Sequence, residues 1–97
     1  MQSNQENAVH MVVEGRVQGV GFRYYTLTEA KKLSLSGWVR NTWDGKVEIL
    51  VEGSQNLLQL FINRIRQGPS SSFVSDVKIN WQEESGKFRN FDIKPTV

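Results

Sequence analysis

Three glycines fall within the seven positions Gly15-Arg16-Val17-Gln18-Gly19-Val20-Gly21, and an aromatic residue, Phe22, and an arginine, Arg23, follow them. The residues before them, Ala8 to Glu14, are rich in valine and methionine and predict a strand. The residues after them have helical spacing. A strand, a glycine-rich turn and a helix N-terminus in succession suit an anion. Glycines let backbone N–H groups turn inward and approach closely, and the first N–H groups of a helix have no partner within it. The helix dipole adds partial positive charge at the same point. Arg23 brings a fixed cation whose planar fork of donors matches a phosphate. A tight turn whose glycines only satisfy backbone geometry is the competing reading of these local features. Neither familiar nucleotide motif fits. Counting G-x-x-x-x-G-K-[ST] from Gly15 puts Val20 at the second glycine, and counting G-x-G-x-x-G from Gly19 puts Tyr24 at the third.

The other chemically capable side chains are few. Asn41 lies near the turn end of a later strand. Its amide both donates and accepts, although an asparagine there also serves as an ordinary ladder or turn residue. His10, the one histidine, lies near the start of the first strand, at the end away from the glycine loop. A catalytic base must reach its proton, so His10 is not expected to take part. The absence of cysteine removes disulfides, thiolate metal sites and a cysteine nucleophile.

The elements that position these residues follow from periodicity. Residues 1–7 are expected to form a flexible tail and residues 8–97 a single domain. The first helix begins at Phe22, with Phe22, Thr26, Ala30 and Leu33 on one face, and is expected to stop near Ser34. Of Tyr24 and Tyr25, one should pack and the other lie on the surface. Ser34 is an unusual residue should the chain turn left-handed there, where glycine is usual. Ser36 to Trp43 predicts a second strand, with Gly37, Val39 and Asn41 on one side. Asp44-Gly45 joins it to a cleanly alternating run from Lys46 to Glu52, a strong hairpin signal. Ser54 is a candidate N-cap for a helix whose apolar stripe is Leu57, Leu58, Phe61, Ile62 and Ile65, ended by Gly68-Pro69. A strand over Phe73 to Gln82, a turn at Ser85-Gly86 and a last short strand within Arg89 to Lys94 complete the chain. The order β-α-β-β-α-β, with a short extra C-terminal strand, predicts an α+β ferredoxin-like sandwich. Its antiparallel sheet carries both helices on one face, with strand order 4-1-3-2. The pairing of the fifth strand is left open.

Composition sets the class of partner. With 97 residues, 38% of them hydrophobic, the chain can build one modest core. Twelve basic and ten acidic side chains give a net charge of +2, dispersed along the sequence. That balance does not point to nucleic acid. Met1 to Asn7 is polar and lacks the basic and apolar regions of a signal peptide, and no apolar run approaches a membrane span. A soluble, cytoplasmic protein acting without nucleic acid or membrane is expected.

The stretch Val13-x-Gly15-x-Val17-Gln18-Gly19-Val20-x-Phe22-Arg23 is similar throughout to the first motif of the acylphosphatase family. The stretch Gly37-Trp38-Val39-Arg40-Asn41-x-x-x-Gly45-x-Val47, followed by Gly53, resembles that family's second motif. Gly68-Pro69 and Phe91-x-Ile93 also match, so the resemblance covers roughly residues 8–94. Ser34 departs from the family's frequent glycine, and Gly21 is a variable position. The resemblance implies a monomeric hydrolase that cleaves the carboxyl–phosphate bond of acyl phosphates without metal or cofactor. It implies that Arg23 binds the phosphoryl group and that the loop Gly15, Arg16, Val17, Gln18, Gly19, Val20, Gly21 and Phe22 wraps it. It also implies that Asn41 orients the attacking water. Inorganic phosphate, the product, is expected to inhibit.

Elementary chemistry is compatible with these roles. The leaving group is a carboxylate whose conjugate acid has a pKa of about 4 to 5, so it departs without a general acid. The remaining demand is to position the reactants and to stabilise charge on the phosphoryl oxygens. Three alternatives stand beside this reading. One is an anion- or RNA-binding module on the same fold, which the lack of aromatics among Glu48, Leu50 and Glu52 disfavours. Another is a domain serving a larger assembly, for instance on carbamoyl phosphate; the methionine start and the lack of a second domain favour a free-standing enzyme instead. The third, a purely structural protein, leaves the loop and Asn41 unexplained.

Overall fold

The computed structural model describes residues 5–97. Its elements are β1 (Glu6–Arg16), α1 (Phe22–Lys32), β2 (Ser36–Asn41), β3 (Val47–Ser54), α2 (Gln55–Gln67), β4 (Phe73–Glu83) and β5 (Phe91–Ile93). They form one sheet in the order β4-β1-β3-β2-β5. The first four strands pair antiparallel in the expected 4-1-3-2 arrangement, and β5 adds a parallel pair against β2. The sheet is therefore mixed at one edge. Alternation could not show this, because it assigns a strand's faces and not its neighbours.

The core lies between the helices and the face of the sheet they cover. Val9, Met11 and Val13 of β1, Val39 of β2, and Val47, Ile49 and Val51 of β3 alternate onto that face and are fully buried. Leu58, Phe61 and Ile65 of α2 meet them, with Phe22 and Ala30 of α1. Helix α2 carries the cleaner apolar stripe, as its spacing predicts. Helix α1 is held partly by polar bonds. Thr26 is fully buried and donates its hydroxyl to the Phe22 carbonyl, and the Tyr25 hydroxyl donates to the Arg64 carbonyl of α2 at 2.8 Å. Tyr25 is thus the packed tyrosine and Tyr24, 69% exposed, the surface one.

Element boundaries differ from expectation in ways with physical causes. Glu6 and Asn7 belong to β1, because Ser54 and Gly53 extend the pairing past Ala8. The tail expected over 1–7 is therefore strand from Glu6 on, and residues 1–4 lie outside the described residues. Helix α1 does stop near Ser34 as expected, ending at Lys32 with Leu33 as C-cap, and Ser34 takes φ 55°, the one non-glycine with positive φ among the described residues. Ser54 precedes α2 with extended backbone but makes no side-chain capping bond. Strand β2 stops at Asn41, since Thr42 is drawn into the turn by bonds to Lys46 and Asp44. Strands β3 and β4 run one or two residues beyond their expected ends, and β5 is confined to the three residues that reach β2.

The face of the sheet away from the helices is polar. Glu48 of β3 accepts from His10 Nε2 of β1 at 2.7 Å and from Arg40 Nε of β2 at 2.8 Å. The Arg40 guanidinium lies 4.4 Å from the Trp38 ring centroid, and Lys94 Nζ lies 5.1 Å from it. Glu52, on the same face, is nonetheless buried, because the turn at Ser85-Gly86 folds over it. Its carboxylate accepts from the Ser85 and Gly86 amides and the Ser85 hydroxyl.

Candidate active site

A cavity of about 260 Å³ opens where β1 passes into α1, at the end of β2. Val17, Gly19, Gly21, Phe22 and Arg23 line it from the loop and the first turn of α1. Tyr24 continues that turn, and Asn41 and Ile93 close the cavity from β2 and β5. Arg23 is the one charged residue among those lining it. The parallel register sets Val39 beside Ile93. Two residues further along β2, Asn41 lies on the same helix-covered face.

The loop geometry follows from its glycines. Gly19 and Gly21 take φ 73° and 77°, and a Cβ at either would meet nothing within 4 Å. Their requirement is conformational: a left-handed backbone that glycine adopts at no steric cost. Gly21 is the N-cap of α1. It offers no side chain to the helix, and no acidic residue stands in the first turn. The first helical N–H groups therefore face the cavity end of the helix without the usual cap acceptor, with the positive end of the dipole behind them. Buried Val17 and Phe22 fix the two ends of the loop in the core.

Gly15 and Arg16 sit apart from the cavity, as the last residues of β1, paired with Val74 and Phe73. Gly15 has φ 127° at a register shift in the β1–β4 ladder, and a Cβ there would overlap the Phe73 carbonyl oxygen and lie 2.8 Å from the Ser75 nitrogen. Gln18 also points elsewhere. Its Nε2 donates to the carbonyls of Thr42 at 2.7 Å and Lys46 at 2.8 Å, tying the loop to the β2–β3 turn that follows Asn41. Val20 packs on the core, and its carbonyl accepts from the Ser71 hydroxyl. Of the residues singled out in the sequence, Val17, Gly19, Gly21, Phe22, Arg23 and Asn41 thus converge on one cavity. Gln18 braces its walls.

Asn41 has the most informative surroundings. Its Oδ1 is buried and has no hydrogen-bond partner, the one such side-chain atom among the described residues. Its carbonyl oxygen accepts from the Val97 amide at 3.2 Å, so the backbone is held while the side-chain acceptor stays unpaired. Buried acceptors are nearly always satisfied, and an exception at a cavity marks a place for a donor. Arg23 forms no ion pair among the described residues, so its charge is not neutralised by the protein. No group of three or more His, Cys, Asp or Glu side chains among the described residues could hold a metal ion. Among the described residues, no helix is long and apolar enough to cross a membrane.

The family model described as acylphosphatase matches residues 9–93. The chain belongs to the acylphosphatase family. An acylphosphatase of Trichormus variabilis is 44% identical over 89 residues, covering 92% of this chain and 87% of the relative. One from Bacillus licheniformis is 48% identical over 83 residues, covering 86% and 92%. The crystal structure of acylphosphatase from Bacillus subtilis is similar with a TM-score of 0.88 at 42% identity, over 91% of this chain and 98% of that one. Full-length HypF, in a phosphate- and nucleotide-bound form, contains a similar fold: the TM-score is 0.86 at 32% identity, over 95% of this chain but 12% of that longer one. Acylphosphatases are hydrolases acting on acid anhydrides, and the two motifs that carry the family resemblance are the two segments meeting at this cavity.

The residues that sequence reasoning missed at this site are Tyr24 and Ile93. Tyr24 immediately follows Arg23 and falls off the apolar stripe of α1, which is a usable signal for a solvent-side position. Ile93 was marked only by the Phe91-x-Ile93 match, which does not place it, because its position depends on the pairing of β5.

Proposed function

We propose that this protein hydrolyses acyl phosphates to a carboxylate and inorganic phosphate, using Arg23, the backbone of the Val17–Gly21 loop and Asn41. The observation that carries the proposal is that Asn41, whose buried Oδ1 has no partner, lines the same cavity as an unpaired Arg23 and an uncapped helix N-terminus. In this reading the phosphoryl oxygens sit against the loop amides and the guanidinium fork, which match the charge developing in the transition state. The Asn41 side-chain amide holds a water and aims its oxygen at phosphorus, in line with the acyl oxygen. The water oxygen bonds to phosphorus as the bond from phosphorus to the acyl oxygen breaks. The electron pair leaves with the carboxylate, and the water proton passes to a phosphoryl oxygen. No step calls for a metal, because Arg23 and the amides meet the charge. None calls for a general acid, because the carboxylate leaves as an anion at neutral pH. The substrate is a free small molecule, and inorganic phosphate competes for the same cradle.

The test is hydrolysis of benzoyl phosphate in the presence of EDTA, beside a phosphate monoester of similar size. Turnover of the anhydride alone, inhibited competitively by inorganic phosphate, is the expected result. Turnover of neither compound would leave the cavity as an anion site without hydrolysis.

A further inference from the structure

We infer that the mouth of the cavity is built for an apolar, uncharged acyl group, with Tyr24 and Ile93 as the side chains that select it; this rests on the acyl phosphate reading above. The polar lining of the cavity comes from the glycine loop, Arg23 and Asn41. Tyr24 and Ile93 also line it, yet are 69% and 41% exposed. Large apolar side chains left in water are unremarkable on a convex surface. On the wall of a concave site they are the usual means of holding the apolar part of a ligand.

They come from separate elements, the first turn of α1 and the edge strand β5. Two separate elements therefore bring exposed side chains with apolar surface to the cavity. With a phosphoryl group held at the polar end, the acyl group, one oxygen away, projects between these two side chains. The charge pattern points the same way. The one charged residue of the lining is Arg23, which the phosphoryl group occupies. Lys94, next along the chain from Ile93, is turned to the opposite face of the sheet, with its ammonium over the Trp38 ring. A substrate with a carboxylate or second phosphate on its acyl chain finds no counter-ion among the residues lining the cavity, and would set that charge against apolar surface. An aryl or alkyl acyl group gains contact instead.

The experiment compares kcat/KM for benzoyl and acetyl phosphate in the wild type, Tyr24→Ser and Ile93→Ser. Tyr24 and Ile93 are 69% and 41% exposed, so both variants are expected to fold. The preference for benzoyl over acetyl phosphate should fall about tenfold in each, the scale on which one apolar contact discriminates. In Ile93→Lys, the ratio of 4-carboxybenzoyl to benzoyl phosphate turnover should rise by about the same factor, because a cation now stands at the mouth. An active wild type whose preference changes less than twofold in both serine variants overturns this inference alone. A wild type inert towards every acyl phosphate overturns the proposed hydrolysis and this inference together.

Discussion

A buried carbonyl oxygen without a hydrogen-bond partner is unfavourable by about 1 to 3 kcal/mol, and Asn41 keeps one at the end of β2. Replacing it should therefore separate activity from stability. Asn41→Ala is expected to lower kcat about 100-fold or more, the scale of losing the placement of one reactant. Its unfolding free energy should match or exceed that of the wild type by about 1 kcal/mol, since the open acceptor is gone. Parallel denaturant titrations and kinetics would show this, and a large loss of stability would mean that Asn41 is a structural residue. Arg23 makes a complementary case. Arg23→Lys keeps the charge but loses the planar fork, and loss of such a donor pair should cost about 3 to 4 kcal/mol in the transition state. Near wild-type kcat/KM in that variant would refute a bidentate clamp. The positions of both residues were legible in the sequence because glycine spacing and a hairpin signal locate them, while the role of Asn41 was implied only by the family resemblance. The brace supplied by Gln18 was not legible, since its acceptors lie 24 and 28 residues away and no local pattern encodes them.

The loop between β1 and α1 uses its glycines for two different purposes, and substitution should distinguish them. Gly15 is pressed against β4, where a Cβ would overlap the Phe73 carbonyl oxygen. Gly19 sits in open space and needs only its positive φ. Gly15→Ala must both strain the backbone and push β4 away at the register shift. It should destabilise the fold by about 2 to 4 kcal/mol. Gly19→Ala carries the left-handed penalty alone, about 1 to 2 kcal/mol, while displacing amides at the cavity, so activity should suffer more than stability. Thermal unfolding and kcat/KM of the two variants would check the contrast; equal effects of both on stability would refute it. The sequence marks all three glycines alike, because a motif does not say whether a missing Cβ serves space or dihedral angle. The helices and the hairpin were readable for the opposite reason: their periodicities and turn residues are local. The place of β5 was not, because three residues carry too little pattern to name a neighbour.

At the scale of the molecule, the sheet separates two sets of interactions. The helix-covered face supplies the core and, at one end, the cavity. The open face carries a ladder across three strands, His10–Glu48–Arg40, continued by the stacking of Arg40 on Trp38. That ladder makes stability depend on pH in a predictable direction. Partial burial pushes the Glu48 carboxyl up, but hydrogen bonds from His10 and Arg40, with the Arg40 charge, outweigh it and hold the pKa below its ordinary 4.5. A carboxyl lowered on folding stabilises the native state above its unfolded pKa, and the contribution is lost as pH falls through the folded value. Glu14 and Asp44 are also lowered, Glu14 chiefly by its bond to Lys78 and Asp44 by its bond to Thr42. Both are surface groups whose pairs are screened by solvent and contribute little. The Glu48 ladder should therefore dominate the acid limb. Glu48→Gln is expected to be less stable than the wild type by about 1 to 3 kcal/mol at neutral pH, the scale of charge-assisted hydrogen bonds. The difference should shrink as pH falls from 4.5 through the lower folded value, beneath which the native carboxylate is itself protonated. Urea titrations of both proteins across this range would measure it, and a difference that stays constant into acid would show that the carboxylate charge is not what stabilises. Because the ladder lies across the sheet from Arg23 and Asn41, Glu48→Gln should keep its turnover at neutral pH wherever it remains folded. Loss of activity in the folded variant would mean that the open face of the sheet is coupled to the cavity through β2.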